Sequence, residues 1–358
     1  FSNGDLIIGD SKLEGRENHA GSLVFTKLDN CGNTLWKRSF ELENEYLEFR
    51  DMVISQDDEV YVFGSAFRQF AELIFLLKLD AQGELIKFNL YETETVDRFT
   101  YSVDWYDDQL MVYGLLLDFS TKKEGFIAVF DAGLSFQWGK KFTPFESSGR
   151  AIITRDRNYL GGSGPFIYKL DQQGELAWAQ AARTDLGVPF TVAGPVESNG
   201  GYIFLAQKEG FAYFFKLDHA GKLAWTSDQF AATNTIVNMH PLENGSLVML
   251  YAIPGSPEIS LGLVTLLSDG SIESQKRLEI SQSFDSESLF SSITSSGITT
   301  MISNSKLRHS YAVDIEDFVF QFDLNQQEHA CFAWTPFNDR RSIQQPVEFV
   351  AIDTPVLD

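Results

Sequence analysis

Carboxylates and histidines are the side chains in this sequence that could carry acid–base or metal chemistry. A glycosidase needs two carboxylates that flank the scissile bond, and Asp104, Asp285 and Glu287 are candidates because they stand near the ends of predicted inner strands. The five histidines show neither His-x-His nor His-Glu-x-x-His spacing, and no EF-hand calcium loop occurs. We therefore expect no metal and no cofactor, and the carboxylates keep an enzymatic alternative open.

Signatures of nucleophilic catalysis and of phosphate binding are missing as well. The chain contains no Gly-x-Ser-x-Gly elbow. The run Gly-Gly-Ser-Gly at 161–164 is too short for a phosphate loop and is not followed by Lys-Ser or Lys-Thr. The sequence thus favours a protein without catalysis, although it does not decide the question.

The elements that would position any site are set by a repeated pattern of Lys-Leu-Asp, Gly and Trp. Copies begin at Thr26, Leu77, Ala128, Tyr168 and Phe215, as in "FKLDHAGKLAWT". Aligning their turn aspartates with Ser268 and Asp323 gives seven units, with steps of 51, 51, 40, 47, 50 and 55 residues. Strand-rich repeats of about 40 to 50 residues predict a β-propeller, in which each repeat forms a four-stranded blade with strands A to D from the inside outwards.

The repeated residues are interpreted as parts of a hairpin turn and of a blade contact. The Asp can accept hydrogen bonds from turn amides, the Gly can take a positive φ, and the Trp can pack between neighbouring blades. Lys87 and Ala330 occupy the Trp place in the second and seventh units, so docking by Trp is not uniform. The expected structural residues are Asp29, Gly32, Trp36, Asp80, Gly83, Asp131, Trp138, Asp171, Gly174, Trp178, Asp218, Gly221 and Trp225.

The two ends of the chain predict how the ring closes. The first unit begins at a B strand, whereas "PVEFVAI" near the C-terminus is similar to the inner strand "YLEFRDMVI". We therefore predict an all-β fold: one seven-bladed propeller domain over residues 1–358, built of four-stranded antiparallel blades and closed by the C-terminal strand joining blade 1. Cys31 and Cys331 could pair in such a ring.

The pattern resembles the repeat of bacterial seven-bladed propeller proteins, "KLDxxGxxxW" followed by a strand that ends in Gly, over essentially the whole chain. It is more distantly similar to the tryptophan-docking repeat of quinoprotein dehydrogenases and of the propeller lipoprotein in the outer-membrane barrel-assembly machinery. The adjacent cysteine pair of many quinoproteins is absent, so no quinone cofactor is implied. The resemblance implies an extracytoplasmic protein at the bacterial surface or in the periplasm, with outer-membrane anchoring through a lipid upstream of Phe1 as one form of it.

The acidity of the chain limits its partners. Fifty acidic and 28 basic residues give a net charge of −22, which repels nucleic acid and anionic lipid surfaces. No apolar run reaches about 18 residues, so we expect no transmembrane segment. The chain opens inside a strand-like stretch, which predicts that its native N-terminus lies upstream.

The long connections are predicted to form the binding face. In a propeller the A–B and C–D connections lie at one face, and the B–C and D–A connections, which are long and variable here, lie at the other. We expect a protein partner, such as an outer-membrane complex, to dock on this long-loop face. A glycan-binding protein, or a glycosidase or lyase using the same face or the channel mouth, is the alternative. The candidate partner-binding residues are Phe67, Arg68, Phe70, Phe119, Phe145, Phe284, Tyr311, Phe337, Arg340 and Arg341.

Overall fold

The computed structural model consists of β-strands joined by turns, and the described residues form no helix. No described segment is therefore a helix with the length and apolarity needed to cross a membrane. The all-β prediction is confirmed for this part of the chain. The structure describes residues 1–3, 5–13, 21–29, 33–42, 45–68, 71–91, 97–117, 123–142, 150–184, 191–208, 211–231, 236–242, 245–253, 260–279, 288–294, 297–308, 312–322, 328–329, 332–333, 335–336 and 347–351.

The chain divides into two compact units. Unit 1 comprises residues 1–181 and 350–358, and unit 2 comprises residues 182–349. That the whole chain is a single domain stays a prediction.

Unit 1 contains four antiparallel meanders, in which each strand pairs with the next along the chain. One parallel pairing, Gly21 with Tyr46, links the first two. The strands of meander 1 are β1 (Leu6–Leu13), β2 (Gly21–Leu28) and β3 (Thr34–Phe40); of meander 2, β4 (Tyr46–Ile54), β5 (Val60–Arg68), β6 (Ala71–Leu79) and β7 (Leu85–Tyr91); of meander 3, β8 (Asp97–Tyr106), β9 (Gln109–Leu117), β10 (Lys123–Asp131) and β11 (Phe136–Phe142); of meander 4, β12 (Arg150–Ile153), β13 (Tyr159–Ser163), β14 (Phe166–Leu170) and β15 (Leu176–Thr184).

Unit 2 continues the same organisation. Its described strands are, first, β16 (Thr191–Ser198), β17 (Gly201–Lys208), β18 (Phe211–Leu217) and β19 (Leu223–Thr226), with β20 (Phe230–Ala231) also on β18; then β21 (Ile236–Pro241), β22 (Leu247–Ile253), β23 (Ser260–Leu266) and β24 (Ile272–Glu279); then β25 (Ser288–Thr294), β26 (Gly297–Arg308) and β27 (Ala312–Phe322); then the short β28 (Glu328–His329), β29 (Phe332–Ala333) and β30 (Thr335–Pro336), of which β30 pairs with β24.

The pairings of the described strands do not include the expected ring closure. The last strand, β31 (Val347–Ala351), is ordered beside β15 in the sheet of meander 4, not beside β1. The inner side of β1 already meets β4, because the backbone N–H of Phe49 donates to Ser11 Oγ at 2.6 Å. Closure through the first meander is therefore not confirmed.

The middle strands are buried on both faces, which explains their continuous apolar runs. Tyr61 and Phe63 on β5 and Phe75 and Leu76 on β6 are all 0% exposed. Outer strands alternate instead: β3 and β11 each have one half-buried face and one exposed face. This pattern is expected when a meander packs between neighbours and only its outer edge reaches solvent.

The inner strands carry β-bulges that the sequence did not predict. The pairing of β4 with β5 shifts between Phe49 and Asp51, and that of β8 with β9 shifts between Thr100 and Ser102. A bulge leaves one residue unpaired and changes the direction of its neighbours. The two bulges stand at matching places and set the orientation of the polar residues that follow them.

Candidate functional site

The Asp of the repeat closes a tight turn between the two outermost strands. In meander 2, Asp80 Oδ1 accepts hydrogen bonds from the backbone N–H groups of Gln82 and Glu84, at 2.9 and 2.8 Å. Amides two and four positions later bond the carboxylate in the same way at Asp131, Asp171 and Asp218. These carboxylates are occupied by their own turns, so their role is to fix the hairpin.

The glycine place of the turn requires a left-handed backbone. Gly83, Gly174 and Gly221 have φ values of +78°, +79° and +79°. In meander 3 the residue in this place is Leu134, with φ of +59°. Its N–H donates to the Asp131 carbonyl at 2.9 Å, as that of Gly83 does to Asp80 at 3.0 Å.

The turn of the sixth unit differs from the sequence alignment, and the turn of the first unit is described only in part. In the sixth unit, Leu267 N–H bonds to the Ser271 carbonyl and Gly270 N–H to the Leu267 carbonyl, so the Asp place belongs to Leu267. The alignment at Ser268 was therefore one residue late. In the first unit, Asp29 Oδ1 accepts from Asn33 N–H at 2.8 Å, while Gly32 lies outside the described residues.

The lysine of the pattern, to which the sequence analysis assigned no role, is buried and paired with an acid. Lys27 Nζ lies 3.2 Å from Asp5 Oδ2, and Lys78 Nζ lies 2.8 Å from Glu59 Oε2. In meander 4 the partner of Lys169 is Asp156, 2.9 Å away. Each acid lies at or just before the start of a B strand, next to the lysine on strand C.

Two of these ammonium groups, those of Lys27 and Lys78, also connect successive meanders. Lys27 Nζ donates to the Ala81 carbonyl at 3.3 Å, and Lys78 Nζ donates to the Ala132 carbonyl at 3.1 Å. Both acceptors lie in the outer turn of the following meander. The sequence feature that indicates this bridge is a lysine within a largely apolar strand.

Outer strands dock on the next outer turn through the Trp place. A Cβ added to Gly83 would lie 2.9 Å from the Trp36 ring, and one added to Gly174 would lie 2.8 Å from the Trp138 ring. In meander 2, Lys87 fills the Trp place and its ammonium donates to the Gly133 carbonyl. In meander 2, a hydrogen bond from Lys87 therefore replaces the tryptophan ring in docking the outer strand on the next turn.

Unit 2 contains the same contact, and meander 4 contains the remaining tryptophan of the repeat pattern. A Cβ on Gly270 would lie 2.7 Å from the Trp225 ring. Trp178 on β15 is half-buried. The short approach at each of these glycines leaves no room for a side chain between turn and ring.

The candidate carboxylate Asp104 bonds to the next inner strand. Its Oδ2 accepts the backbone N–H of Ile153 on β12 at 2.6 Å. Asp51 on β4 accepts the N–H of Val103 on β8 at 3.0 Å in the same manner. Both side chains thus hold neighbouring inner strands together, whereas Asp285 and Glu287 lie outside the described residues.

The inner strands place an arginine near these two carboxylates. By register with the adjacent B strands, Asp51, Ser102 and Arg150 hold equivalent positions in meanders 2, 3 and 4. Burial raises the pKa of Asp104 to about 6, although hydrogen bonds from Ile153 N–H and its own strand and the charge of Arg150 oppose the shift. Burial also raises the pKa of Asp51, against a bond from Val103 and the same arginine.

This inner cluster of Asp51, Asp104 and Arg150 can be interpreted as catalytic or as structural. A carboxyl with a raised pKa beside a second carboxyl is the arrangement of a general acid in glycoside hydrolysis. Both carboxylates, however, already accept backbone amides, which ties them to the strands. Within the described part of the chain, no group of three or more His, Cys, Asp or Glu residues could hold a metal ion.

Phe67 is the candidate loop-face residue whose side chain the structure describes. It is half-buried as the last residue but one of β5, and its ring centroid lies 5.5 Å from that of Tyr46. Arg68 is paired in register with Ala71 in the adjacent strand. The other candidates lie outside the described residues, as do both cysteines: Phe70, Phe119, Phe145, Phe284, Tyr311, Phe337, Arg340, Arg341, Cys31 and Cys331.

Comparison with known proteins finds similarity of structure but not of sequence. No protein-family model matches the chain, and no curated protein does. A Bacteroides uniformis protein with the provisional name 6-phosphogluconolactonase is 12% identical, covers 92% of this chain and 99% of its own, and has a TM-score of 0.51. Kuenenia stuttgartiensis hydrazine synthase is 9% identical, covers 71% of this chain and 76% of its own, with a TM-score of 0.50. A Dos1 propeller is 10% identical over 82% of this chain and 89% of its own, with a TM-score of 0.44.

Likeness at this level of identity shows the fold alone. The consecutive antiparallel meanders, with inner strands β4, β8 and β12 as successive neighbours in unit 1, are of the β-propeller type. The class of the protein is therefore an all-β, propeller-type repeat protein.

Proposed function

We propose that this protein is a non-catalytic, seven-bladed interaction propeller that binds a protein partner through its long-loop face. In this proposal it is an extracytoplasmic lipoprotein of the bacterial surface or periplasm and an accessory subunit of an outer-membrane complex. The blade count of seven rests on the sequence repeat. A closed ring requires the C-terminal strand to join β1, a pairing that the described strands do not contain.

The observation that carries this proposal is the use of buried lysines and half-buried aspartates as links between meanders. Asp51 and Asp104 bind backbone amides of the next inner strand, and Lys27 and Lys78 bind carbonyls of the next outer turn. Interior charges with such partners support a rigid scaffold rather than a reaction centre. Variable loops on a rigid scaffold are the usual place for binding.

One observation favours a carbohydrate-active alternative. Asp104 combines a pKa raised to about 6 with proximity to Asp51 and Arg150, as a glycosidase acid would. If this alternative holds, Asp104→Asn abolishes hydrolysis of a bound glycan while the fold persists, because the Asn oxygen still accepts the Ile153 amide.

The test is affinity isolation of the full-length protein, with its native N-terminus, from its own cells, followed by mass spectrometry and a glycan array. We expect a stoichiometric protein partner and no retention on glycans. The double variant Arg340→Glu/Arg341→Glu should recover at least about tenfold less partner, because arginines anchor interfaces.

Lys222→Glu is the matched control, since Lys222 is exposed on an outer turn at the opposite end of the strands. It should recover the partner at the wild-type level. Retention on glycans without any stoichiometric protein would refute the interaction proposal and favour the carbohydrate reading.

A further inference from the structure

The outer strands of unit 1 are basic in a strongly acidic protein. β3 contains Lys37 and Arg38, β7 contains Lys87, and β11 contains Lys140 and Lys141. None of these three strands contains an acidic residue, although the chain carries a net charge of −22. Positive charge is therefore concentrated on the outer strands β3, β7 and β11 of unit 1.

Alternation along β3 and β11 separates the basic residues into two groups. Arg38 pairs with Glu84 at 2.9 Å and Lys140 with Glu175 at 3.1 Å, each on the outer turn of the next meander. The neighbouring Lys37 and Lys141 stand on the opposite face of their strands and are exposed. One lysine on each strand is thus presented to solvent.

Apolar side chains accompany these lysines on the same strands. Leu35 on β3 is 52% exposed and Phe136 on β11 is 56% exposed. Leu35 and Lys37 share a face because they are two residues apart. On β3, a lysine beside an exposed apolar residue matches an extended segment in which acidic and apolar residues alternate.

Both strands also offer backbone groups. Among the described pairings, β3 pairs with β2 alone and β11 with β10 alone, so no described strand lies on the outer edge of either. A segment of the chain itself occupies such an edge in unit 2, where β30 pairs with β24 at Lys276 and Arg277.

We propose that the outer edges of β3 and β11 bind an extended acidic and apolar segment of a partner protein by strand addition. Backbone hydrogen bonds supply the pairing, and Lys37 and Lys141 lie against the carboxylates of the added strand. Like charges disfavour the pairing of two identical edges, so the proposed occupant is not the same edge of a second copy. This inference rests on the outer-strand edges and does not depend on the proposed function.

The experiment uses a fluorescent acetylated peptide of four Val-Glu repeats, titrated against the full chain by anisotropy. A peptide of four Val-Lys repeats is the matched control for length and strand propensity. We expect the acidic peptide to bind at least about tenfold more tightly and to weaken as salt is added. Hydrogen exchange should slow in residues 34–40 and 136–142 of the wild-type protein when it binds.

The double variant Lys37→Glu/Lys141→Glu should lose at least about tenfold in affinity for the acidic peptide. Lys222→Glu, an equally exposed charge reversal on an outer turn, should change the affinity less than about twofold. Absence of binding to the wild type, equal binding of the two peptides, or protection confined to other strands would each overturn the proposal.

Discussion

Lys78 is a buried charge whose partners lie on two meanders. Its ammonium meets Glu59 on its own meander and the Ala132 carbonyl on the next. Meander 3 replaces both members of the ion pair, with Val129 in the lysine place and Gln109 in the acid place. Joint replacement is expected because one buried charge without its partner is costly.

We therefore expect Lys78→Val alone to lower the free energy of unfolding by about 2–4 kcal/mol. The double variant Lys78→Val/Glu59→Gln, which copies meander 3, should cost less than the sum of the single changes. A coupling of about 1–3 kcal/mol in a denaturant double-mutant cycle is the expected result. Additive single effects would show that the pair does not act as a unit.

Asp104 should make stability depend on pH. Its folded-state pKa of about 6 lies above the usual value of 3.8, so the folded protein binds more protons between these values. The contribution of Asp104 to the free energy of unfolding is therefore fully present below about pH 4, and it is lost as the pH rises through about 6. Asp104→Asn should reduce this fall in thermal unfolding, and the exposed Asp228→Asn should leave it unchanged.

Removing the acceptor of Asp104 altogether should have a different effect. Asp104→Ala leaves the Ile153 amide without its carboxylate, and we expect a loss of about 1–3 kcal/mol at pH 7, where Asp104→Asn retains the bond. Equal stability of the two variants in urea unfolding at pH 7 would contradict the proposed link between inner strands.

At the scale of elements, the contact between outer strand and next turn decides how the meanders stack. Gly174 combines a φ of +79° with a 2.8 Å approach of any Cβ to the Trp138 ring. Gly200 has a similar φ of +75° but open space where a Cβ would stand. Substitutions at these two glycines therefore distinguish the cost of backbone strain from the cost of displacing the tryptophan ring.

Gly174→Ala is expected to cost about 2–4 kcal/mol, the sum of left-handed strain and displacement of the ring. Gly200→Ala should cost about 1 kcal/mol, from strain alone. Chemical denaturation of both variants measures the difference. Equal losses would mean that the tryptophan yields freely and does not fix the stacking.

The elements show what sequence reasoning could find. Asp80 and Gly83 are recognisable because turn chemistry is local and repeats at a fixed spacing. The Lys78 bridge and the bulge before Asp51 depend on partners in other strands, which a single sequence does not display. The loop-face candidates other than Phe67 and Arg68 lie outside the described residues, so they stay predictions.

At the scale of the molecule, the two ends of the strands differ in regularity. One end contains short turns fixed by Asp and Gly, and the other contains long connections of varied sequence. In unit 1, the charged side chains of Lys27, Lys78, Asp51 and Asp104 form hydrogen bonds that link neighbouring meanders. The proposed scaffold thus binds through the less regular end and is held rigid by the other.

Cross-linking mass spectrometry of the isolated partner complex tests this central claim most directly. Lys12 and Lys208 end B strands and Lys123 begins a C strand, at the long-loop end, whereas Lys222 lies on an outer turn at the opposite end. The account predicts partner cross-links at the first three and none at Lys222. Cross-links concentrated at Lys222, with none at the long-loop end, would contradict it.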